Sequence, residues 1–167
     1  LAAPLNRSTV FLGKCLGGVT DSMIQVTIII VLGFFIFPDL EYTLQSLMLV
    51  YLYLFLLAVI MTSLGLIIGS RMDSPEGFSL ITSLVVFPMY FLSGALFLKK
   101  NLIDEAPLIY WITAINPASY AVDAIRYTLI PEEIFLEYGL SRDFTVLIGF
   151  CVFLLALGTQ SFKTMKL

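Results

Sequence analysis

The sequence predicts an all-α integral membrane protein with four transmembrane helices and a pair of short helices before the last of them. Three observations carry that prediction. Hydrophobic residues make up 59% of the 167-residue chain and charged residues only 13%, against about a quarter charged in a typical soluble domain. The apolar residues are gathered into long runs, as spanning helices require and a soluble core does not. The breaks between those runs hold proline, glycine and charge.

The elements follow in order. Residues 1–14 are a modestly polar lead-in with Pro4, Arg7 and Lys14. The first span is predicted over about 15–37, ending at Pro38-Asp39, and is long enough for a hydrocarbon core of about 30 Å at about 1.5 Å per residue. The second span covers about 44–69. The turn "SRMDSPEG" (70–77) then carries Arg71, Asp73, Pro75 and Glu76, all poor choices for hydrocarbon. The third span is predicted over about 78–98 with a kink at Pro88, and the last over about 144–162, closed by Lys163 and Lys166.

Four spans put both ends on one side. Arg7, Lys14, Arg71, Lys163 and Lys166 fall on that side, and the short 38–43 turn has acids but no base. The positive-inside rule therefore places both ends in the cytoplasm. Lys99, Lys100, Arg126 and Arg142 fall on the opposite side and count against it, though long segments weigh less in that rule.

The outer segment 101–130 is not a simple loop. "APLIYWITAI" (106–115) is apolar, but ten helical residues reach only about 15 Å and cannot cross. Trp111 and Tyr110 suit a membrane–water boundary. Asn116-Pro117 then reads as an N-cap followed by a first helical residue, starting a second short helix that runs to about Ile130. Asp123 and Arg126, three apart, are expected to pair on one of its faces. The two half-length helices fit either a re-entrant hairpin, dipping into the membrane and returning, or a pair lying flat on the outer surface. Glu132, Glu133 and Glu137 beyond them read as a solvated face.

Asp21 is the notable intramembrane charge, with Gln25 one turn on. A carboxylate there must face protein, water or a counter-charge. A cation-recognising role stands beside an interfacial or pairing role with Lys14, two turns earlier. Gly13-x-x-x-Gly17 and Gly65-x-x-x-Gly69 have the spacing of close helix contacts.

Several function classes are excluded or weakened. A net charge of −3 without a basic tract argues against a nucleic-acid partner. Histidine is absent, which removes the commonest general base and metal ligand. Cys15 and Cys151 lie in apolar runs and read as small apolar groups. No nucleophile–base pair lies in the spans, so a membrane enzyme is disfavoured. A structural or sensory membrane anchor remains as an alternative.

"FPMYFLSGALF" (87–97) followed by "WITAINPASYAVDAIRY" (111–127) resembles the type 2 ABC transporter (ABC-2) permeases, the family of drug-resistance and polysaccharide-export permeases. Phe87, Pro88, Ser93, Gly94, Asn116, Pro117, Tyr120, Asp123 and Arg126 carry the likeness. "APLNRSTVFLGK" (3–14), with Pro4, Arg7, Gly13 and Lys14, resembles the stretch after the family's coupling helix. The chain continues with Leu98-Lys99-Lys100 where many members have proline.

The resemblance implies spans three to six of a six-span permease, with an N-terminally incomplete transmembrane domain over 1–167 and a re-entrant helical pair before the last span. It implies a cell-membrane exporter for a hydrophobic or amphipathic small molecule such as a drug, or alternatively for a lipid-linked polysaccharide. The chain holds no G-x-x-x-x-G-K-[S/T] phosphate loop, so no cofactor is expected on it and ATP falls to a separate ABC ATPase subunit. Two permease copies, a homodimer or a pair, are implied in the bilayer. Pro4, Arg7, Arg71 and Glu76 are the expected ATPase-coupling residues. Trp111, Asn116, Pro117, Tyr120, Asp123 and Arg126 are expected to form the outer gate.

Overall fold

The computed structural model describes residues 6–40, 42–96, 107–130 and 138–164, and every regular element among them is helical. Pro4, Lys99, Lys100, the glutamates 132, 133 and 137, and Lys166 lie outside the described residues.

Helix α1 spans Arg7–Ile36 and begins a full two turns before the first apolar run. Pro38 cannot continue a helix, and α1 closes at Phe37, whose N–H returns to the Gly33 carbonyl at 2.8 Å. Helix α2 spans Leu44–Gly69, as the hydrophobic run predicts. Its first turn is capped by Thr43, whose hydroxyl accepts from the Ser46 N–H at 3.1 Å.

Helix α3 spans Pro75–Phe91. Ser74 caps it by accepting from the Gly77 N–H at 3.1 Å, and Pro75 takes the first helical position. The predicted third span reaches to 98, but α3 stops at Phe91. The helix runs through Pro88 and ends one turn later in a Ser93-Gly94 turn. Gly94 has φ +80°, a value that a side chain would resist. At 17 residues the helix is about 25 Å long, shorter than α1, α2 and the last helix. Those three alone among the described residues are long and apolar enough to cross a membrane by length and composition.

Helices α4 (Pro107–Ile115) and α5 (Pro117–Leu129) are the two short helices, broken at Asn116. Helix α6 spans Leu140–Thr164, extending the predicted last span at both ends.

The bundle is built around α2, which packs against α1, α5 and α6. Tyr53 and Ile60 of α2, Tyr120, Ala121 and Ala124 of α5, and Leu147, Cys151 and Leu154 of α6 form the principal core. Phe11 meets Phe162 at one end, with ring centroids 5.2 Å apart, and Arg71 reaches Ser161 there. The start of α1, the α2–α3 turn and the end of α6 therefore share one end of the bundle. The other end holds the Phe34–Tyr42 contact and the Tyr53 hydroxyl on the Leu140 carbonyl at 3.0 Å.

Candidate functional site

The last carbonyls of a helix lack helical partners. At the end of α3 the Leu92 N–H goes back to Pro88 and the Ser93 N–H to Tyr90, so the Met89 and Leu92 carbonyls are left for other donors. Helix α5 supplies them. Asn116 donates from Nδ2 to the Met89 carbonyl at 2.7 Å, and Ser119 from its hydroxyl to Leu92 at 3.2 Å. Beyond the turn, the Arg126 guanidinium takes the Gly94 carbonyl at 2.6 Å and Ala95 at 3.3 Å. A cation at a helix C-terminus is also favoured by the macrodipole.

These bonds fix the direction of α5. Its start lies beside Met89, inside α3, and its end beside the turn that closes α3. Asn116 works twice, because its Oδ1 also accepts from the Ala118 N–H at 3.0 Å, which is the predicted N-cap. The Tyr120 hydroxyl donates back across the break to the Ala114 carbonyl at 2.6 Å. Helix α5 is buried from Pro117 to Ala121 and again at Asp123 and Ala124, where it packs against α2 and α6.

Asp123 and Arg126 do not serve as the expected pair. While Arg126 turns to the end of α3, Asp123, only 2% exposed, accepts from the Tyr138 N–H at 2.9 Å. The Tyr138 ring stacks on Tyr120 at 4.8 Å, and the Arg142 guanidinium lies 5.2 Å from the centre of the Tyr138 ring. Asp143 is fully buried at the head of α6. Sequence reading missed Ser119, Tyr138 and Asp143 as members of this site. Ser119 had a signal, since it follows Asn116 by one helical turn and shares its face.

Trp111 sits apart from this network, 67% exposed on α4. Between α3, α4 and α5 lies a cavity of about 320 Å³ lined by Pro88, Met89, Leu92, Ile112, Ile115, Asn116 and Pro117. Its wall is almost wholly apolar.

This assembly of an α3 turn and a capped half-length helix uses Pro88, Ser93, Gly94, Asn116, Pro117 and Arg126 together. A comparison with family models matches the chain to the ABC-2 type transporter domain over residues 1–130. The chain belongs to the ABC-2 type transporter family. No curated protein and no solved structure matches it. The ABC-2 match covers α1 to α5 and ends where α5 ends, with α6 beyond it. This makes the chain a multi-pass membrane domain of an ABC transporter, a permease that pairs with an ABC ATPase subunit rather than an ATPase itself.

The other predicted residues of this ABC-2 domain lie at the opposite end or along α1. Arg7 opens α1 and is exposed. Glu76 sits in the first turn of α3, where an acid favours helix formation. Arg71 donates from Nε to the Ser161 hydroxyl at 3.4 Å, beside a Ser70–Ser161 contact of 3.2 Å.

Asp21 is exposed on α1, and its depth can be read from two contacts. Cys15 meets Ser63 at 3.5 Å, and the Tyr51 hydroxyl meets Thr27 at 3.1 Å. This antiparallel register sets Asp21 level with Leu57, midway along α2, rather than near an end. Lys14 turns instead to a cavity of about 620 Å³ that it lines with Asp73, Ser70 and Gly65.

Proposed function

We propose that this chain is the membrane-spanning permease of an ATP-driven exporter, moving a hydrophobic or amphipathic small molecule out of the cytoplasm. The observation that carries the reading is α5 seated between α2 and α6 and latched to the end of α3 by Asn116, Ser119 and Arg126. A half-length helix with its start deep and its end beside an outer turn fits a re-entrant hairpin, α4 in and α5 out. In hydrocarbon the backbone groups freed at the Asn116 break need protein partners; the Asn116 Oδ1 takes the Ala118 N–H and the Tyr120 hydroxyl takes the Ala114 carbonyl.

In this reading α3 is a fourth span, with the turn after it reaching the outer boundary. Both ends of the chain lie in the cytoplasm, since Arg7, Lys14, Arg71 and Lys163 gather at one end of the bundle in a plasma-membrane protein. ATP is bound by the partner ATPase, with Pro4, Arg7, Arg71 and Glu76 as the coupling residues. A second permease copy completes the path, and Asp21, exposed at mid-depth, lines it. The residues from Trp111 to Arg126 form the external gate.

The test is ATP-dependent uptake of ethidium, an amphipathic cation, into inside-out vesicles holding the permease and its ATPase. Accumulation that requires both supports the exporter. Movement of a lipid-linked oligosaccharide in its place reassigns the cargo. Movement of neither, with the complex assembled and ATP hydrolysed, overturns the reading in favour of an anchor.

A further inference from the structure

The geometry points to α6 as the rod that carries motion from the cytoplasmic end to the outer gate, with Phe11 and Gly158 as its inner joint. This rests on the exporter reading above. Both cytoplasmic elements that the sequence marks for ATPase coupling converge on a single turn of α6. From α1 comes Phe11, fully buried, whose ring occupies a notch in α6 that exists because residue 158 is glycine. A Cβ placed on Gly158 would overlap the Cζ tip of that ring, far inside van der Waals contact. Phe162, one turn on, closes the notch with its own ring at 5.2 Å. From the α2–α3 turn come Ser70 and Arg71, both on Ser161.

At its other end, about 30 Å away by helical rise, α6 and the two residues before it hold the gate helix. The Tyr138 N–H is bound by Asp123, and the Tyr138 ring lies against Tyr120. Leu147 and Cys151 pack with Ala121 and Ala124, and Tyr53 of α2 braces the head of α6 through the Leu140 carbonyl. A stiff helix gripped at residues 158–162 and attached to α5 at residues 138–151 moves both ends together. Helix α2 also touches both regions and crosses α1 closely where Thr62 meets Gly18, but no α1 side chain fills a glycine notch in α2 as Phe11 does in α6. Phe11 and Gly158 are thus positioning residues for transport that touch no cargo.

The experiment reads the gate and needs no cargo. Spin labels are placed at Leu96 and Ile115, both exposed, in the permease–ATPase complex, where the native cysteines are buried. In the native sequence ATP shifts the distance between the labels. Gly158→Ala overfills the joint and Phe11→Leu loosens it. Each is expected to leave ATPase binding and hydrolysis at close to the native rate and to abolish the shift. The double variant Phe11→Leu/Gly158→Ala refits the joint and restores the shift. A full ATP-driven shift in Phe11→Leu overturns the proposal even if Gly158→Ala fails to assemble. Loss of ATP hydrolysis in step with the shift also overturns it, as general damage. If ATP moves nothing in the native complex, it is the exporter reading that fails instead.

Discussion

Arg126 holds the Gly94 carbonyl at 2.6 Å, so the C-terminal end of α5 is tied to the turn that ends α3. The same nitrogen, Nη2, also reaches the Ala95 carbonyl at 3.3 Å. Bonds from a charged donor are worth about 1.5–3 kcal/mol where they are buried. Arg126 is only half-buried, so the low end applies.

Arg126→Ala is therefore expected to cut ATP-driven ethidium uptake by about ten-fold, the factor that 1.4 kcal/mol represents. Co-purification with the ATPase should be unchanged. Arg126→Lys should fall between the two. Native uptake by Arg126→Ala would remove the latch from the mechanism.

Asn116 offers a sharper test because its two side-chain atoms do different work. Asn116→Ala loses the cap on Ala118, worth about 1 kcal/mol, and leaves the part-buried Met89 carbonyl without its donor, for a further loss of about 1 kcal/mol. Asn116→Asp keeps the cap acceptor but sets a carboxylate against that carbonyl. It is expected to be at least as destabilised as the alanine variant in thermal unfolding in detergent. If the Asn116→Asp variant were as stable as the native protein, the Met89 bond would count for nothing.

The bounds of α2 and the start of α5 were readable in the sequence because local chemistry sets them: a threonine before an apolar run, and an asparagine before a proline. The end of α3 was not, because hydrophobicity continues to Leu98 while the helix is stopped by the Ser93-Gly94 turn. Hydropathy reports affinity for hydrocarbon, not where hydrogen bonding ends. The partners of Asp123 and Arg126 were hidden for a related reason. Spacing along one helix suggested a mutual pair, but orphan backbone groups at Gly94 and Tyr138, distant in sequence, took the two side chains instead. The depth of Asp21 needed the register between α1 and α2, which no single helix carries.

Register also decides which glycine matters on α1. A Cβ on Gly18 would stand 2.7 Å from Thr62 Cγ2, whereas one on Gly13 or Gly17 meets nothing within 4 Å. The close crossing with α2 is thus made at Gly18, and not by the Gly13-x-x-x-Gly17 spacing. Gly18→Ala should destabilise the bundle by about 1–3 kcal/mol, the usual cost of overpacking. Gly17→Ala should gain slightly from helix propensity, by about 0.5–1 kcal/mol. Thermal unfolding in detergent of the two variants checks the order. The reverse order would mean that the α1–α2 register is wrong.

Asp21 lies at mid-depth on an exposed face, one helical turn from Gln25, which is exposed as well. A carboxylate at the bilayer centre costs about 2.5–3.5 kcal/mol on insertion scales, so lipid is a poor surrounding and a water-filled path a better one. On a path, its charge matters for cationic cargo and much less for folding. Asp21→Asn removes the charge and keeps the shape. It is expected to lower ATP-driven ethidium uptake by about ten-fold, equal to 1.4 kcal/mol of lost attraction, and to leave uptake of a neutral dye within experimental scatter. Its unfolding temperature should stay at the native value, because a carboxylate facing a water-filled path takes no part in packing. Equal loss for both dyes would place Asp21 in the framework of the bundle, and a large drop in stability would mean that its carboxylate has a partner that holds α1 in place.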